Sequence, residues 1–343
     1  MPKTGTGARG RPTMRDVAAL AGVSLKTVSR VINTEPAVSA DVRSRVLAAI
    51  ERLEYRHDHA ASSLRRSDRK SSTIGVLLED VANPFSSALH REIEDVALKR
   101  GVLVLAGSSD EDEAREQQLI AAFTARRVDG LIIVPASHDH SYLLSERRAG
   151  TSMVFVDRPA AFLDADSILT DNQAGVRQGV AHLIAHGHRR IGYLGDLVTI
   201  TTAAERHRGY EDELRAQGIA IEPELVRLNV HGLDMAEAAA HQMLTMVRPP
   251  TALFTGQNIL TIGASRALHK LDLHHRIALV GFDDVLLADL LEPGITVIAQ
   301  DPSAMGRTAA EQLFRRIDGD HSPSVHVVVP TRLITRGSGE IVP

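Results

Sequence analysis

The chain has 343 residues, 43% hydrophobic and 24% charged, which predicts a globular protein of two or three domains. It has no cysteine, no apolar run of membrane-spanning length and no basic-then-apolar leader, which excludes disulfide scaffolds and thiol chemistry and predicts a cytoplasmic protein without membrane contact. The net charge of −4 combines +7 over residues 1–70 with −11 over the remainder, an asymmetry typical of a head that approaches a polyanion.

The basic end predicts a small helical unit behind a tail, residues 1–12, that is expected to be disordered until a partner binds it. Three short helices are predicted over residues 13–53, with Thr13, Ser24 and Ser39 suited to cap them. In the second, over residues 25–32, the apolar spacing turns Val28, Val31 and Ile32 inward and leaves the polar face outward. This order is the helix-turn-helix plan, with an ordinary helical cap or a merely solvated basic face as the alternative.

Apolar runs alternate with amphipathic stretches of helical length from Ser71 onward. The runs are TIGVLL (73–78), VLVLA (102–106), GLIIV (130–134), MVFV (153–156), IGYL (191–194), TALFT (251–255) and IALVGF (277–282). This alternation predicts parallel sheets with helices on both faces and ligands beyond the carboxyl ends of the strands. Polar residues follow several of these runs: Glu79-Asp80, Ser108-Ser109-Asp110, Asp157-Arg158 and Asp283-Asp284.

Beyond residue 12 the chain carries a series of motifs in a recognisable order. They are TMRDVAALAGVSLKTVSRVIN (13–33), NPF (83–85), RRVDGLIIVP (126–135), VDRP (156–159), HLIAHGHRRIGYLGD (182–196), ERHRGY (205–210), VGFDD (280–284) and TVIAQD (296–301). In this order they resemble the lactose-repressor (LacI/GalR) family of bacterial transcription regulators. The resemblance implies an all-α helix-turn-helix head and an α/β core of two Rossmann-like subdomains of the periplasmic-binding-protein type I, joined by three crossovers.

The same resemblance implies where the domains begin and end. The expected ranges are 13–56 for the DNA-binding head, 57–70 for a hinge helix and linker, 71–170 with 302–327 for the first core subdomain, and 171–300 with 328–341 for the second. Two hinge helices side by side require a homodimer, and a twofold dimer implies double-stranded DNA with a pseudo-palindromic operator.

The resemblance assigns DNA contacts residue by residue. Leu25, Lys26 and Arg30 match base-contacting positions, and Arg30 is suited to pair in a bidentate manner with guanine N7 and O6. Residues expected at phosphates, with helix capping as the alternative for the Ser and Thr side chains, are Thr13, Ser24, Thr27, Ser29 and Asn33. In the hinge, Leu64 is expected to wedge between base steps of the minor groove, with Ala61 beside it. The sequence departs from the family at His57-Asp58, usually Pro-Asn, and at Glu54, usually Gly.

The resemblance also implies a small-molecule effector in the cleft between the core subdomains. Arg206 and Asp283 match the family's cleft arginine and aspartate, and Asp157 ends another strand. A guanidinium that donates and carboxylates that accept suit a sugar or a sugar derivative, while an inter-subdomain ion pair of Arg206 is the alternative. Gln257-Asn258 stands where the family has Asn-Asp. Phe85 and Phe282 are the candidate ring contacts, with core packing as the alternative for each. No cofactor and no metal are expected.

The sequence favours a repressor of sugar or other catabolic genes, with an enzyme and a solute-binding receptor as the alternatives. An enzyme would rest on sixteen histidines, but the chain has no H-E-x-x-H, no G-x-S-x-G and no phosphate-binding loop, so no catalytic residue is predicted. A solute-binding receptor with no DNA role would share the core, but it needs an export signal and no basic head.

Overall fold

A computed structural model describes residues 12–32, 35, 38–55 and 71–343. The chain divides into two compact units between Ser71 and Ser72. Three predicted features lie outside the described residues: the tail apart from Pro12, the hinge helix with Ala61 and Leu64, and the phosphate contact Asn33. In the part of the chain that is described, none of the helices has both the length and the apolarity needed to cross a bilayer.

The first unit contains the three predicted helices, α1 (Met14–Ala21), α2 (Leu25–Ile32) and α3 (Ala40–Arg52). Helix α1 begins with a capping box, in which Thr13 Oγ1 accepts from the Asp16 amide and Asp16 accepts from the Thr13 amide. It ends at Gly22, whose φ of +63° is the left-handed conformation that glycine adopts without strain. The buried side chains that hold the helices together are Val17, Ala18, Ala21, Val28, Val31, Val46 and Ala49.

The head differs from prediction at two points. Ser39 precedes α3 at the capping position, but its side chain makes no capping hydrogen bond. Ile32 is only partly buried, because it lies at the end of α2 and packs against the margin of the core that Val28 and Val31 fill.

The second unit contains two six-stranded sheets. The first has the order β11-β5-β4-β3-β1-β2, with every strand parallel. Its strands are β1 (Thr73–Leu78), β2 (Leu103–Ser108), β3 (Gly130–Ile133), β4 (Ser152–Asp157), β5 (Asp166–Thr170) and β11 (His326–Val329). Its helices are α4 (Pro84–Lys99), α5 (Glu113–Ala125), α6 (Leu144–Arg148) and α11 (Pro302–Ile317). Helices α4 and α11 bury one face of this sheet and α5 the other.

The second sheet has the order β12-β10-β9-β8-β6-β7, in which β12 alone is antiparallel to its neighbour. Its strands are β6 (Ile191–Leu194), β7 (Val226–Arg227), β8 (Ala252–Thr255), β9 (Ala278–Phe282), β10 (Thr296–Ala299) and β12 (Arg332–Ile334). Its helices are α7 (Asn172–Ala185), α8 (Thr201–Ala216), α9 (Leu233–Leu244) and α10 (Asn258–Lys270). Helices α7 and α8 cover one face, and α9 and α10 cover the other.

The chain passes between the sheets three times, after β5, after β10 and after β11. The boundary expected between residues 327 and 328 falls inside β11, so the last passage comes after Val329. Coverage is also less complete than predicted, because the edge strands β2 and β11 carry exposed side chains such as Leu103 and Val328. An edge strand lacks a neighbour on one side, so its side chains are not all covered.

Candidate functional site

Helix α2 presents the side chains predicted to read bases. Leu25 and Lys26 are exposed at its first turn, and Arg30 is partly exposed one turn later. The Arg30 Nε atom lies 3.5 Å from Glu35 Oε2. Since Val28 and Val31 are buried on the opposite side, α2 has one face fixed in the head core and one face available to a partner.

Two of the hydroxyl groups predicted at phosphates, those of Thr13 and Ser24, take part in helix capping. Ser24 Oγ accepts from the Thr27 amide at 3.1 Å, and its oxygen lies 2.8 Å from Thr27 Oγ1. Thr13 belongs to the capping box of α1. Ser29 is half-buried within α2. Capping fixes the start of each helix, and it leaves the exposed hydroxyls of Thr13 and Ser24 on the surface.

In the core unit, all five predicted effector residues line one cavity. The enclosed part of this cavity measures about 40 Å³, and with the adjoining open space the total is about 510 Å³. Asp157 ends β4, Asp283 follows β9, Gln257 precedes α10, and Arg206 and Phe85 lie on α8 and α4. Both aspartates have left-handed φ values, +68° for Asp157 and +69° for Asp283, at equivalent strand ends of the two sheets. Such strained backbone is concentrated at functional sites.

Arg206 is held in place by hydrogen bonds to two neighbouring segments and by a ring beneath it. Its Nε donates to Asn172 Oδ1 at 2.8 Å and its Nη1 to the Gly256 carbonyl at 2.9 Å, and Nη1 lies 3.8 Å from Asp283 Oδ2. The guanidinium carbon is 4.0 Å from the ring centroid of Phe282. Phe282 is fully buried beneath this group and does not line the cavity, which favours the core-packing alternative for this ring.

Asp283 is buried, and burial raises the pKa of its carboxyl, while Arg206 and a 2.6 Å hydrogen bond from Gln300 Nε2 act in the opposite direction. The ion pair of Arg206 and Asp283 joins two residues of the second subdomain, so it is not the inter-subdomain pair weighed as an alternative. A polar group that both residues face from the cavity meets a donor and an acceptor side by side.

The first subdomain contributes a second group of charges. The two terminal nitrogens of Arg158 donate to Glu111 at 2.8 and 2.6 Å, one of them also to the Pro135 carbonyl, and Asp157 lies 3.4 Å from its Nε. Glu79 faces the same cavity, and burial together with the negative charge of Glu111 raises the pKa of its carboxyl to about 7. This half of the cavity therefore holds more carboxylate than guanidinium.

Asp196 holds the side chain of Gln257 in place in the cavity wall. Gln257 Nε2 donates to Asp196 Oδ2 at 2.8 Å, and its Oε1 accepts from the Ile259 amide at 2.7 Å. His231 Nδ1 lies 2.9 Å from the other oxygen of Asp196. Burial is the largest single influence on His231 and lowers its pKa. The bond to Asp196 together with the negative charges of Asp196, Glu79 and Glu111 outweighs burial, so the pKa is raised.

Three of these cavity residues were not found from sequence. Glu111 lies in the loop after β2, Asp196 two residues after β6, and Gln300 directly after β10. Asp196 ends one of the motifs quoted above and Gln300 is next to last in another, so a polar residue after an apolar run was the signal that could have found them. Glu79 and Arg158 were noted only as polar residues at strand ends.

Comparison with known proteins finds two matching families. Residues 13–58 match the bacterial regulatory proteins of the lacI family, and residues 180–339 match the periplasmic binding protein-like domain. The chain is 32% identical over 336 residues to the HTH-type transcriptional regulator PtxS of Pseudomonas aeruginosa, covering 96% of each chain. The match of the head opposes a receptor without a DNA role.

Solved structures agree with the sequence comparison. A lac repressor dimer bound to operator and the anti-inducer ONPF is similar with a TM-score of 0.85 and 28% identity, over 96% of this chain and 99% of that chain. A complex of the transcriptional regulator CelR with cellobiose is similar with a TM-score of 0.70 and 29% identity, over 96% of this chain and 100% of that chain. The similarity therefore extends over both units of the chain.

Proposed function

The chain belongs to the LacI family of bacterial transcriptional regulators, and we propose that it represses sugar or other catabolic genes under the control of a sugar-like effector. Like its relatives, it is a DNA-binding regulator and not an enzyme. The observation that carries the proposal is the convergence of the five predicted effector residues on one cavity.

At the DNA end, α2 enters the major groove of an operator. Arg30 reads guanine, Lys26 a guanine edge or a phosphate, and Leu25 a thymine methyl group. Backbone contacts come from Thr13, Ser24, Thr27, Ser29 and Asn33, which set register rather than sequence. The exposed face of α2 supports this assignment, since its apolar side is already buried.

The active form is a homodimer on a pseudo-palindromic operator. An apolar patch on the second subdomain supports it, because Leu286 and Leu290 are 77% and 73% exposed, with Leu287 and Leu291 beside them. Contiguous exposed apolar surface marks interfaces. In the homodimer, Ala61 and Leu64 of each hinge contact the minor groove.

At the effector end, Asp157, Arg206, Gln257 and Asp283 bind the hydroxyl groups of the ligand, and Phe85 contacts its apolar face. Because the cavity is lined by both subdomains, a ligand that contacts both favours a closed arrangement over an open one. A ligand that favours the DNA-binding arrangement is a corepressor, and one that favours the other is an inducer.

The DNA function is tested by selecting a randomised duplex library on the full-length protein. We expect a twofold-symmetric consensus and a complex with two chains per duplex. A K26A/R30A variant, which keeps the α2 core, should lose the consensus. Recovery of random sequence at every salt concentration would refute the regulator.

The effector site is tested with Arg206→Ala and with Arg208→Ala, an exposed neighbour on α8. Arg206→Ala should retain operator binding and lose the response to any sugar that shifts the native protein in a thermal screen. Arg208→Ala should retain both. An unchanged dose response of the Arg206 variant would place the effector elsewhere.

A further inference from the structure

One acceptor in the cavity wall has no donor. Gln300 is 9% exposed and lines the cavity, and its Nε2 donates to Asp283 Oδ1 at 2.6 Å. A carboxylate only accepts, so the amide nitrogen must face Asp283 and the orientation of the amide is fixed. Its Oε1 is left without a partner among the described residues. A buried acceptor in this state favours a ligand that donates.

The charges around this acceptor are unequal. Five carboxylates line the cavity against two guanidinium groups, with the imidazole of His231 near Asp196 as a further cation. The carboxylates are Glu79, Glu111, Asp157, Asp196 and Asp283. Negative charge is therefore in excess even when the histidine is protonated.

Acceptors of the protein already take most of the donors of the two arginines, and those left over are Nη2 of Arg206 and Nε of Arg158, the latter 3.4 Å from Asp157. Both terminal nitrogens of Arg158 already donate to Glu111 or the Pro135 carbonyl. Arg206 donates through Nε and Nη1 to Asn172 and the Gly256 carbonyl. An added carboxylate or phosphate would compete with these acceptors and meet the surrounding carboxylates.

Glu79 is the cavity carboxylate for which the described residues show no ion pair, and the positive charge of Arg158 lowers its pKa only in part. Glu111 and Asp157 are paired with Arg158, Asp283 with Arg206, and Asp196 with His231. For Glu79 the described residues supply only the Asn83 amide, 3.5 Å away. The raised pKa of Glu79 has the same cause, because its charge is partly buried beside like charges.

We propose that the effector is a polyhydroxylated amine, such as an amino sugar, whose ammonium group lies against Glu79 and whose other donors reach Gln300 Oε1. This inference rests on the proposed function of the cleft and specifies its ligand. A cation in this position supplies the charge that the cavity lacks, and its hydroxyl groups meet acceptors on both subdomains.

The experiment measures binding of matched sugars to the full-length protein by calorimetry. The probes are glucose, galactose and mannose, each compared with its 2-amino and its uronic acid counterpart. We expect an amino sugar to bind at least about tenfold more tightly than its neutral counterpart, and no uronic acid to bind. Glu79→Gln should abolish that preference, while Glu94→Gln, the same charge change on the exposed surface of α4, should keep it.

Tighter binding of a neutral or acidic sugar than of its amino counterpart would overturn the inference. The proposed function as a sugar-controlled regulator would still stand, because an effector would have been found. Binding of no probe at all would also overturn the inference. The DNA selection described above then decides separately whether the proposed function stands. A preference for the amine that survives Glu79→Gln would reject Glu79 as its origin.

Discussion

Arg30 meets a carboxylate in the free protein and is proposed to meet a guanine in the complex. Its partner, Glu35, and Arg30 itself are more than 40% exposed. An exposed ion pair of this kind contributes about 0–1 kcal/mol, so exchanging it for a base edge costs little. We expect Arg30→Ala to weaken binding to the selected operator by about 1–3 kcal/mol and to relax base choice at one position of each half-site.

The measurement is a competition gel shift with operators substituted at single positions. Arg52→Ala, which removes the same charge at the exposed end of α3, serves as the control and should keep the preferred sequence. Leu64→Ala should weaken all duplexes without changing that preference, because an apolar wedge between base steps makes no hydrogen bond to a base edge. Equal loss on every duplex for Arg30→Ala would contradict a base-reading role.

Glu54 lies two residues beyond the end of α3, in a backbone conformation that suits glycine. Its φ is +50°, and the next amide, that of Tyr55, closes the helix by donating to the Ile50 carbonyl at 2.9 Å. The left-handed region costs an L-residue about 1–2 kcal/mol, whereas glycine adopts it freely and loses about 0.5–1 kcal/mol of chain entropy. The family glycine is therefore absent while the backbone geometry that favours it is kept.

Glu54→Gly should raise the free energy of unfolding of the head by up to about 1 kcal/mol. Hydrogen exchange of α3 amides in the full-length protein would measure it. Glu51→Gly, an exposed position inside α3, should instead lower that free energy by about 1 kcal/mol, because glycine is unfavourable in a helix interior. Faster exchange in the Glu54 variant would show that the glutamate side chain stabilises the helix end.

At the scale of elements, the sequence predicted those strands whose apolar runs are long and bounded by helical stretches. It did not predict β5, β7, β10, β11 or β12. Strand β7 has two residues, and β11 lies at an edge with exposed side chains, so neither requires a buried apolar run. β10 is fully buried, but its four residues are too few for periodicity to distinguish strand from loop. Missing β10 also meant missing Gln300 at its end.

The close packing of α7 and α8 links an element to the cavity. A Cβ atom on Gly209 of α8 would lie 2.6 Å from the Gln173 carbonyl oxygen on α7. Arg206 lies one turn earlier on α8 and Asn172 begins α7, so the helix separation sets their hydrogen bond. Gly209→Ala should therefore force the helices apart.

We expect Gly209→Ala to lower the free energy of unfolding by about 1–3 kcal/mol and to weaken effector binding. Thermal unfolding and calorimetry with a ligand of the native protein measure the two effects. Arg215→Ala, at an exposed position of the same helix, should change neither by a comparable amount. Native effector affinity in a destabilised Gly209 variant would show that Arg206 is positioned independently of the helix separation.

At the scale of the whole molecule, the site is assembled from parts that are distant in the chain. Polar residues after apolar runs could be predicted to lie at the carboxyl edge of a sheet. The packing of the two subdomains decides which loops of the two sheets face each other. Local periodicity in the sequence carries no information about this packing. Asn83 and Asn258 are 175 positions apart in the chain, and Asn258 Nδ2 lies 2.8 Å from Asn83 Oδ1. The sequence did not predict that these two residues meet.

This contact is a hydrogen bond between the two subdomains that involves no charge. Asn83 Oδ1 also accepts from the Phe85 amide at 3.1 Å, so its oxygen is fixed and Asn258 must be the donor. Removing the Asn258 side chain leaves Asn83 with its other partner and creates no unpaired oxygen. The variant therefore removes a stabilising contact of the arrangement in which the subdomains meet.

Asn258→Ala should weaken effector binding about two- to tenfold, because a neutral hydrogen bond contributes about 0.5–1.5 kcal/mol and the binding-competent population falls accordingly. Linkage then fixes a second result. Effector populates one arrangement of the core, and the variant depopulates that same arrangement. If effector lowers the affinity for operator, the variant without effector should therefore raise it, and if effector raises that affinity, the variant should lower it. Calorimetry and gel shifts measure both, with Gln242→Ala on the exposed side of α9 as the control. A change in effector affinity with unaltered operator affinity would show that closing of the cleft is not coupled to DNA.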